Sequence, residues 1–438
     1  MAKKILGWLI FVLIAVFIGF VIWLFFFKQE PQPSNFRPTS RGEDFFPVDT
    51  TGNLGREGST ERERDTQQAG RNFIPRLRQL STVPTAGGSA FERKAGSSET
   101  FVTEEGVEEE SSSSVTIFRY IERATGHLYE TRENTLTQTR LSNTTIPKVQ
   151  RALFAPDGEH VLLRMIDEDQ ETIESLAASI TSKSTTSPET FRIVADGYSL
   201  EGSFLSPNTI DAEITRSGLT YMVPNNEGGS SLITSDFNDL AKNLVFESPL
   251  TQWLIQRVDT NNIVITSKAD SRMTGSSYLI NTNTKSSDKL LSDITGLTTL
   301  VSPDNKWVIY STTRGNELDL FSLNTETGAT KNLGLETLPE KCIFSSSDSS
   351  IVFCAAPTQS ERVPYPETWY QGLVSFNDNL WRINLDTEVY DQILGDQEEV
   401  NQSFDMTNLV LSPKNEFLLF INKKDLTLWS LDVTIVER

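Results

Sequence analysis

The sequence predicts an all-β fold, a seven-bladed β-propeller of four-stranded blades, preceded by one transmembrane α-helix and a disordered linker. Three observations predict it. An uncharged apolar run extends from Ile5 to Phe27, a polar stretch occupies 28–71, and hairpin phrases recur from residue 72 to the end. The corresponding domains are 1–27, 28–71 and 72–438.

The run from Ile5 to Phe27 has 23 residues without a charge, enough to cross a ~30 Å hydrocarbon core as a helix. A cleaved signal peptide has a shorter apolar stretch and ends in a small-x-small site; this run ends in Leu24-Phe25-Phe26-Phe27-Lys28. No cysteine lies near it for a lipid anchor. Lys3 and Lys4 precede the run, while Gln29, Glu30 and Pro31 follow Lys28. The positive-inside bias therefore predicts a cytoplasmic N-terminus and an extracytoplasmic remainder, with the membrane as the first partner.

Residues 28–71 are rich in Pro, Gly, Ser, Thr and mixed charge. Such a segment buries too little apolar surface to offset its ordering entropy, which predicts a disordered linker. As a flexible chain it spans roughly 35–40 Å.

The remainder carries a repeated phrase. Val301-Ser302-Pro303-Asp304-Asn305-Lys306-Trp307-Val308-Ile309-Tyr310 aligns with the stretches Phe154 to Leu163 and Leu411 to Phe420, and more loosely with Phe344 to Phe353. Each is an apolar strand, a turn of Pro, Asp, Gly or Asn, and a second apolar strand, which is hairpin chemistry. A third strand follows in Leu320-Phe321-Ser322-Leu323-Asn324, Leu380-Trp381-Arg382-Ile383-Asn384 and Leu428-Trp429-Ser430-Leu431-Asp432. Fourth strands end in Leu141-Ser142, Leu291-Ser292, Leu333-Gly334 and Leu394-Gly395. Four strands per unit, at a spacing of about 40–50 residues, predict propeller blades. Third strands fall at 126–132, 191–194, 231–235, 278–281, 318–324, 379–384 and 427–432, which makes seven blades.

The last blade lacks a fourth strand before the chain ends. Gln79-Leu80-Ser81 with Pro84 parallels Arg140-Leu141-Ser142 with Pro147. The segment through Leu77 and Leu80 is therefore the expected ring closure, pairing with the C-terminal blade and leaving no open edge at the seam.

These phrases, S-P-D-[GN]-x-x-[VI]-x-[YF] followed by L-[WF]-x-[LI]-[ND], resemble the WD40-like repeats of TolB-type β-propellers over roughly 75–438. The resemblance implies a protein-interaction platform of the cell envelope that grips an extended peptide at the mouth of its central channel.

Cys342 and Cys354 are the only cysteines. They flank the sixth blade's hairpin symmetrically, so its register sets them opposite each other, and an extracytoplasmic location permits a disulfide. Two thiols without neighbouring histidines are too few for a metal site.

Chemistry is otherwise sparse. The formal charge of −20 falls almost wholly beyond residue 71 and argues against nucleic-acid binding. His127 and His160 have no nearby nucleophile, and no G-x-S-x-G elbow, phosphate loop, zinc motif or calcium loop is present. No enzyme activity, cofactor or metal is expected. Function is therefore sought in the connections. Insertions at 94–114 and 167–187 are polar, whereas that at 356–378 carries Tyr365, Trp369, Tyr370 and Phe376 among prolines. This composition fits a partner-binding loop; the other reading folds the aromatics back over the channel or a blade edge. The leading expectation is a membrane-anchored scaffold for a protein or peptide, the alternative a carbohydrate- or small-molecule-binding surface sensor, and third a degenerate hydrolase.

Overall fold

A computed structural model describes residues 74–434 apart from 95–98, 103–107, 112–113, 144, 168–171, 183–196 and 396–401. The run from Ile5 to Phe27 and the linker 28–71 lie outside the described residues, among which no helix is long and apolar enough to cross a membrane.

The described chain forms seven antiparallel sheets of four strands, plus a small hairpin between Glu99–Val102 and Glu108–Ser111. The first strand of each sheet lies innermost: Thr85–Lys94, Val149–Phe154, Asp211–Thr215, Trp253–Arg257, Thr299–Val301, Cys342–Phe344 and Met406–Leu411, for blades 1 to 7. The inner strands of blades 1 and 2 approach so closely that a Cβ on Gly87 would sit 1.8 Å from the Ala152 carbonyl oxygen.

The repeated phrases have local physical causes. In the hairpin turn the residue after Pro-Asp or Pro-Lys has positive φ, at 70° for Gly158, 63° for Asn305 and 57° for Asn415, a conformation Gly and Asn tolerate best. The Asp157 and Asp304 carboxylates accept the backbone N–H two residues on, at 2.8 and 3.0 Å, as Asx turns do. Ser302 and Ser412 hydroxyls accept the N–H groups of Trp307 and Phe417. The Asn ending the third strand caps the next turn: Asn281, Asn324 and Asn384 each accept two backbone N–H groups.

Burial falls between blades. Seven apolar clusters each join neighbouring blades, from Ile121 with Val161 between blades 1 and 2 to Phe353 with Phe420 between 6 and 7. Lone blades would leave both faces wet, so the ring is the folding unit.

Leu77–Gln79 forms the outermost strand of blade 7, pairing Leu77 with Leu431 and Gln79 with Trp429. The Leu80 N–H donates to the Leu428 carbonyl at 2.8 Å, and Leu141 and Leu333 repeat this bond to Leu128 and Leu320. The closing strand thus occupies the place of an ordinary fourth strand. Two arginines extend its hold. Arg76 donates to the Ile393 carbonyl of blade 6 at 2.6 Å, and Arg78 to the Thr135 carbonyl of blade 1 at 2.7 Å.

Blade 2 departs from the sequence reading. Its third strand is Ile173–Ser182, inside the stretch 167–187 expected as a polar insertion, and its fourth is Tyr198–Phe204. The segment 191–194, expected as the third strand, lies outside the described residues. The reason is weak contrast: Ala177 and Ala178 are buried on opposite faces, so the strand alternates between small residues rather than between apolar and polar ones. In blade 1 the third strand begins at Leu128, after a turn at Gly126 with φ of 70°.

Candidate functional site

Cys342 and Cys354 are directly paired across the first two strands of blade 6 and joined by a disulfide. Both are buried against Trp307, Ile309, Val352 and Ile383.

The aromatic loop folds inward. Tyr365, Trp369 and Phe376 are 1%, 4% and 3% exposed and pack with Leu318, Leu338 and Val374. These three are therefore packing residues rather than a contact surface. What draws them in is a buried charge cluster: the Lys341 ammonium lies 2.7 Å from Asp378 and 2.5 Å from Asp405, all three side chains fully buried. The Trp369 indole N–H and the Phe376 backbone N–H donate to Asp405 at 3.0 and 3.2 Å, and the Met406 N–H donates to Asp378 at 2.6 Å. Phe376 and Trp369 present their rings to Lys341. Burial pushes the Asp378 carboxyl up to about 6, against the pull of Lys341. One ammonium facing two carboxylates leaves the cluster short of positive charge.

Tyr370 alone of the four stays open, at 38% exposure. It sits on the short helical turn Glu367–Tyr370, held by Ser271, whose N–H and hydroxyl both donate to Glu367. Lys423 donates to the Trp369 carbonyl oxygen at the same turn. The Tyr370 hydroxyl donates to Glu340, and the Thr298 hydroxyl donates to the same carboxylate at 3.0 Å.

This places Tyr370 over one end of the central channel. The channel holds two cavities that share Arg151 and Glu213. The wider, about 640 Å³, is lined by middle and late residues of the inner strands and by their turns: Leu153 and Phe154, Ile343 and Phe344, Leu409 and Leu411 among them. Most of these apolar side chains are only partly buried, and Pro156, Arg216, Ser346 and Pro413 at the rim are exposed. The narrower, about 270 Å³, is lined by Asp211, Leu254, Gln256, Thr298, Thr299 and Glu340, with Tyr370. Apolar surface predominates in both, with hydroxyl and carboxylate groups beside Leu254, Ile255 and Val264 at the Tyr370 end.

Charges in the channel are unevenly satisfied. Asp211 receives Arg164 at 3.3 Å and the Ile255 N–H at 3.0 Å. Arg151 stands 3.8 Å from both Asp211 and Glu213. Burial within the ring pushes the Glu213 carboxyl up to about 7, Arg151 opposing and Asp211 adding to the rise. Burial likewise raises Glu340, and raises the Tyr370 hydroxyl well above its ordinary range, with Glu340 adding to the second shift. Among the described residues no cluster of three or more His, Cys, Asp or Glu side chains is arranged to hold a metal ion.

None of Lys341, Asp378, Asp405, Arg151, Glu213 or Glu340 stands out in the sequence. The signal available was position: Asp211, Lys341 and Asp405 each sit at or just before the start of an inner strand.

No protein-family model matches the chain, and no curated protein matches it. Among solved structures it is similar to an oligogalacturonate lyase from Vibrio parahaemolyticus, at 10% identity over 82% of this chain and 93% of that one, with a TM-score of 0.46. The β-propeller domain of the Trilobed protease from Pyrococcus furiosus is similar at 10% identity, over 73% and 92%, with a TM-score of 0.46. TolB from Acinetobacter baumannii is similar at 11% identity, over 74% and 78%, with a TM-score of 0.35.

Proposed function

We propose that this protein is a non-catalytic, membrane-anchored scaffold whose propeller binds a protein or peptide segment outside the cytoplasm. One observation carries the binding reading: the turn end of the channel is an open, about 640 Å³ recess whose apolar walls remain partly exposed. Concave apolar surface with a few polar groups is the usual form of a binding site. The TolB-type repeat phrases support the same class of function. The anchor rests on the 23 uncharged residues from Ile5 to Phe27 behind Lys3 and Lys4.

A photo-crosslinking residue placed at Leu411, and separately at the exposed rim position Leu240, tests the site in intact cells. A discrete protein adduct from Leu411 and none from Leu240 is expected. Adducts from Leu240 alone, or from neither, would refute the channel mouth as the partner site. External protease that leaves the propeller untouched in intact spheroplasts, yet cuts it after lysis, would refute the topology. The second reading, a carbohydrate or small-molecule sensor, is favoured by the hydroxyl-lined narrow cavity with Thr266, Thr298, Thr299 and Tyr370; glycan-array binding lost in Tyr370→Ala would promote it.

A further inference from the structure

The outermost strand of each blade has one edge that no strand of its own sheet covers, and such an edge offers backbone groups to any incoming strand. Among the described residues, six of the seven edges are blunted. Leu77–Gln79, Thr139–Arg140 and Thr330–Asn332 are at most three residues long. Asn243–Ser248, Ser287–Thr295 and Val389–Leu394 pair through register shifts, and bulges of that kind twist an edge out of line. Tyr198–Phe204 of blade 2 is the exception, with seven residues paired without a shift to Leu176–Ser182. It contains neither Lys nor Pro, the residues that usually guard an edge.

The phase of its backbone groups is fixed by its ends. The Leu205 N–H donates inward to the Ser175 carbonyl at 2.8 Å. Antiparallel pairs alternate in bonding direction, so Ser199, Glu201 and Ser203 bond inward, and Leu200, Gly202 and Phe204 turn N–H and C=O outward. Tyr198, in the outward phase, sends its N–H to the Leu141 carbonyl of blade 1 at 3.2 Å. Among the described residues, no hydrogen bond from outside the sheet reaches the backbone of Leu200, Gly202 or Phe204. The side chains set the chemistry of a strand that would. Tyr198 and Leu200 pack on the apolar cluster between blades 1 and 2, and Phe204, on the same face by alternation, is 56% exposed. The other face carries Ser199, Glu201 and Ser203, and the exposed Glu201 is the only charge in the strand. On an antiparallel neighbour the residue opposite Glu201 would belong to a non-hydrogen-bonded pair, where side chains come closest. Opposite charge is favourable in such a pair and like charge is not. The formal charge of −20 attracts a basic segment from a distance and opposes a second copy.

We propose that the edge Tyr198–Phe204 is a strand-addition site for an extended cationic segment of another protein. The segment lies antiparallel, with apolar residues opposite Leu200 and Phe204 and a Lys or Arg opposite Glu201. The site shares no residue with the lining of either channel cavity, so it stands apart from the channel mouth and does not rest on that reading.

Fluorescence anisotropy of the full chain in detergent, with a labelled peptide of alternating valine and lysine, tests it. Two further peptides carry backbone N-methyl groups, one on every valine and one on every lysine. In the proposed register the valine N–H groups face Leu200, Gly202 and Phe204, and the lysine N–H groups face away. Methylation of the valines should weaken binding by about tenfold or more, as loss of the facing hydrogen bonds requires, and methylation of the lysines should leave it unchanged. Leu200→Pro, which removes an outward N–H and no inward one, should reproduce the valine-methylated loss, with the fold verified by circular dichroism. Glu201→Lys should turn a preference of about threefold for the valine–lysine peptide into one for a valine–glutamate peptide. Leu411→Asp should change nothing. Equal binding of the two methylated peptides, or no binding of any peptide, would overturn strand addition at this edge without touching the channel reading. Wild-type binding of the valine–glutamate peptide as tight as that of the valine–lysine peptide would overturn the cationic assignment. Loss of binding in Leu411→Asp would move the peptide to the channel mouth and refute the edge. A dimer in sedimentation that Leu200→Pro dissolves would make a second copy the occupant and refute the proposal as well.

Discussion

Blade 7 is fastened by a strand from the other end of the described chain and blade 6 by its own long connection between strands two and three, and the two fastenings use opposite physics. At the seam of blade 7, Leu77 and Leu80 are buried, and a short ladder joins Leu77–Gln79 to the last strand. Over blade 6, the aromatic loop is fixed by one ammonium and two carboxylates with no water-accessible surface among them. Apolar burial degrades gradually as atoms are removed, in proportion to the area lost. A buried ionic cluster does not: it is stable only as a set, because removing one member leaves an uncompensated charge. The seam should therefore tolerate conservative change that the latch cannot.

The largest effect expected is from deleting residues 72–84, which removes the ladder and both leucines. A loss of about 5 kcal/mol or more is anticipated from the buried area and vacated space. Urea unfolding of the full chain would measure it, and an unchanged midpoint would mean that the ring does not depend on its seam. Next comes Lys341→Met, at about 3–5 kcal/mol, since Asp378 and Asp405 would remain buried without their cation. Adding Asp378→Asn and Asp405→Asn to that variant should recover much of the loss; failure to do so would show that shape, rather than charge, holds the loop. Replacing both Cys342 and Cys354 by alanine should cost roughly 2–3 kcal/mol, the entropy of a short closed loop, read as a shift in the same midpoint.

The smallest effect is a pH slope. Burial raises the folded-state Asp378 carboxyl to about 6, from an ordinary value of 3.8. The folded protein thus binds this proton more tightly than the unfolded chain. The resulting stabilisation is present below pH 3.8 and is lost as pH rises through about 6. Asp378→Asn should remove that decline, so the stability difference between wild type and variant should shift toward the variant between pH 4 and 7. A difference constant over that range would place the pKa elsewhere.

Sequence legibility follows the same division between local and distant causes. The hairpins of blades 2, 5 and 7 were readable because Gly158, Asn305 and Asn415 are demanded by a turn four residues long. The seam was readable because the closing strand repeats the Leu-Ser ending of a fourth strand, and Leu80 makes the hydrogen bond that Leu141 makes. Blade 2 was misread where alanines replaced the alternating pattern. The latch was not readable, since Lys341, Asp378 and Asp405 lie on separate segments and only the folded ring brings them together. Nor could composition decide the fate of Trp369. An aromatic loop suits a contact surface or a core equally well, and the buried Asp405 carboxylate, a partner for the indole N–H, settles it inward. Arg151 and Glu213, on the inner strands of blades 2 and 3, were hidden for the same reason.

The placement of Arg76 and Arg78 has a mechanical consequence. Any tension arriving along the chain from its amino-terminal side reaches Leu77–Gln79 before the rest of the propeller. That strand lies at the rim and is bound through Arg76 to blade 6, through its ladder to blade 7, and through Arg78 to blade 1. A pull is thereby shared among three blades at the circumference, and the lumen and its lining stay out of the line of force.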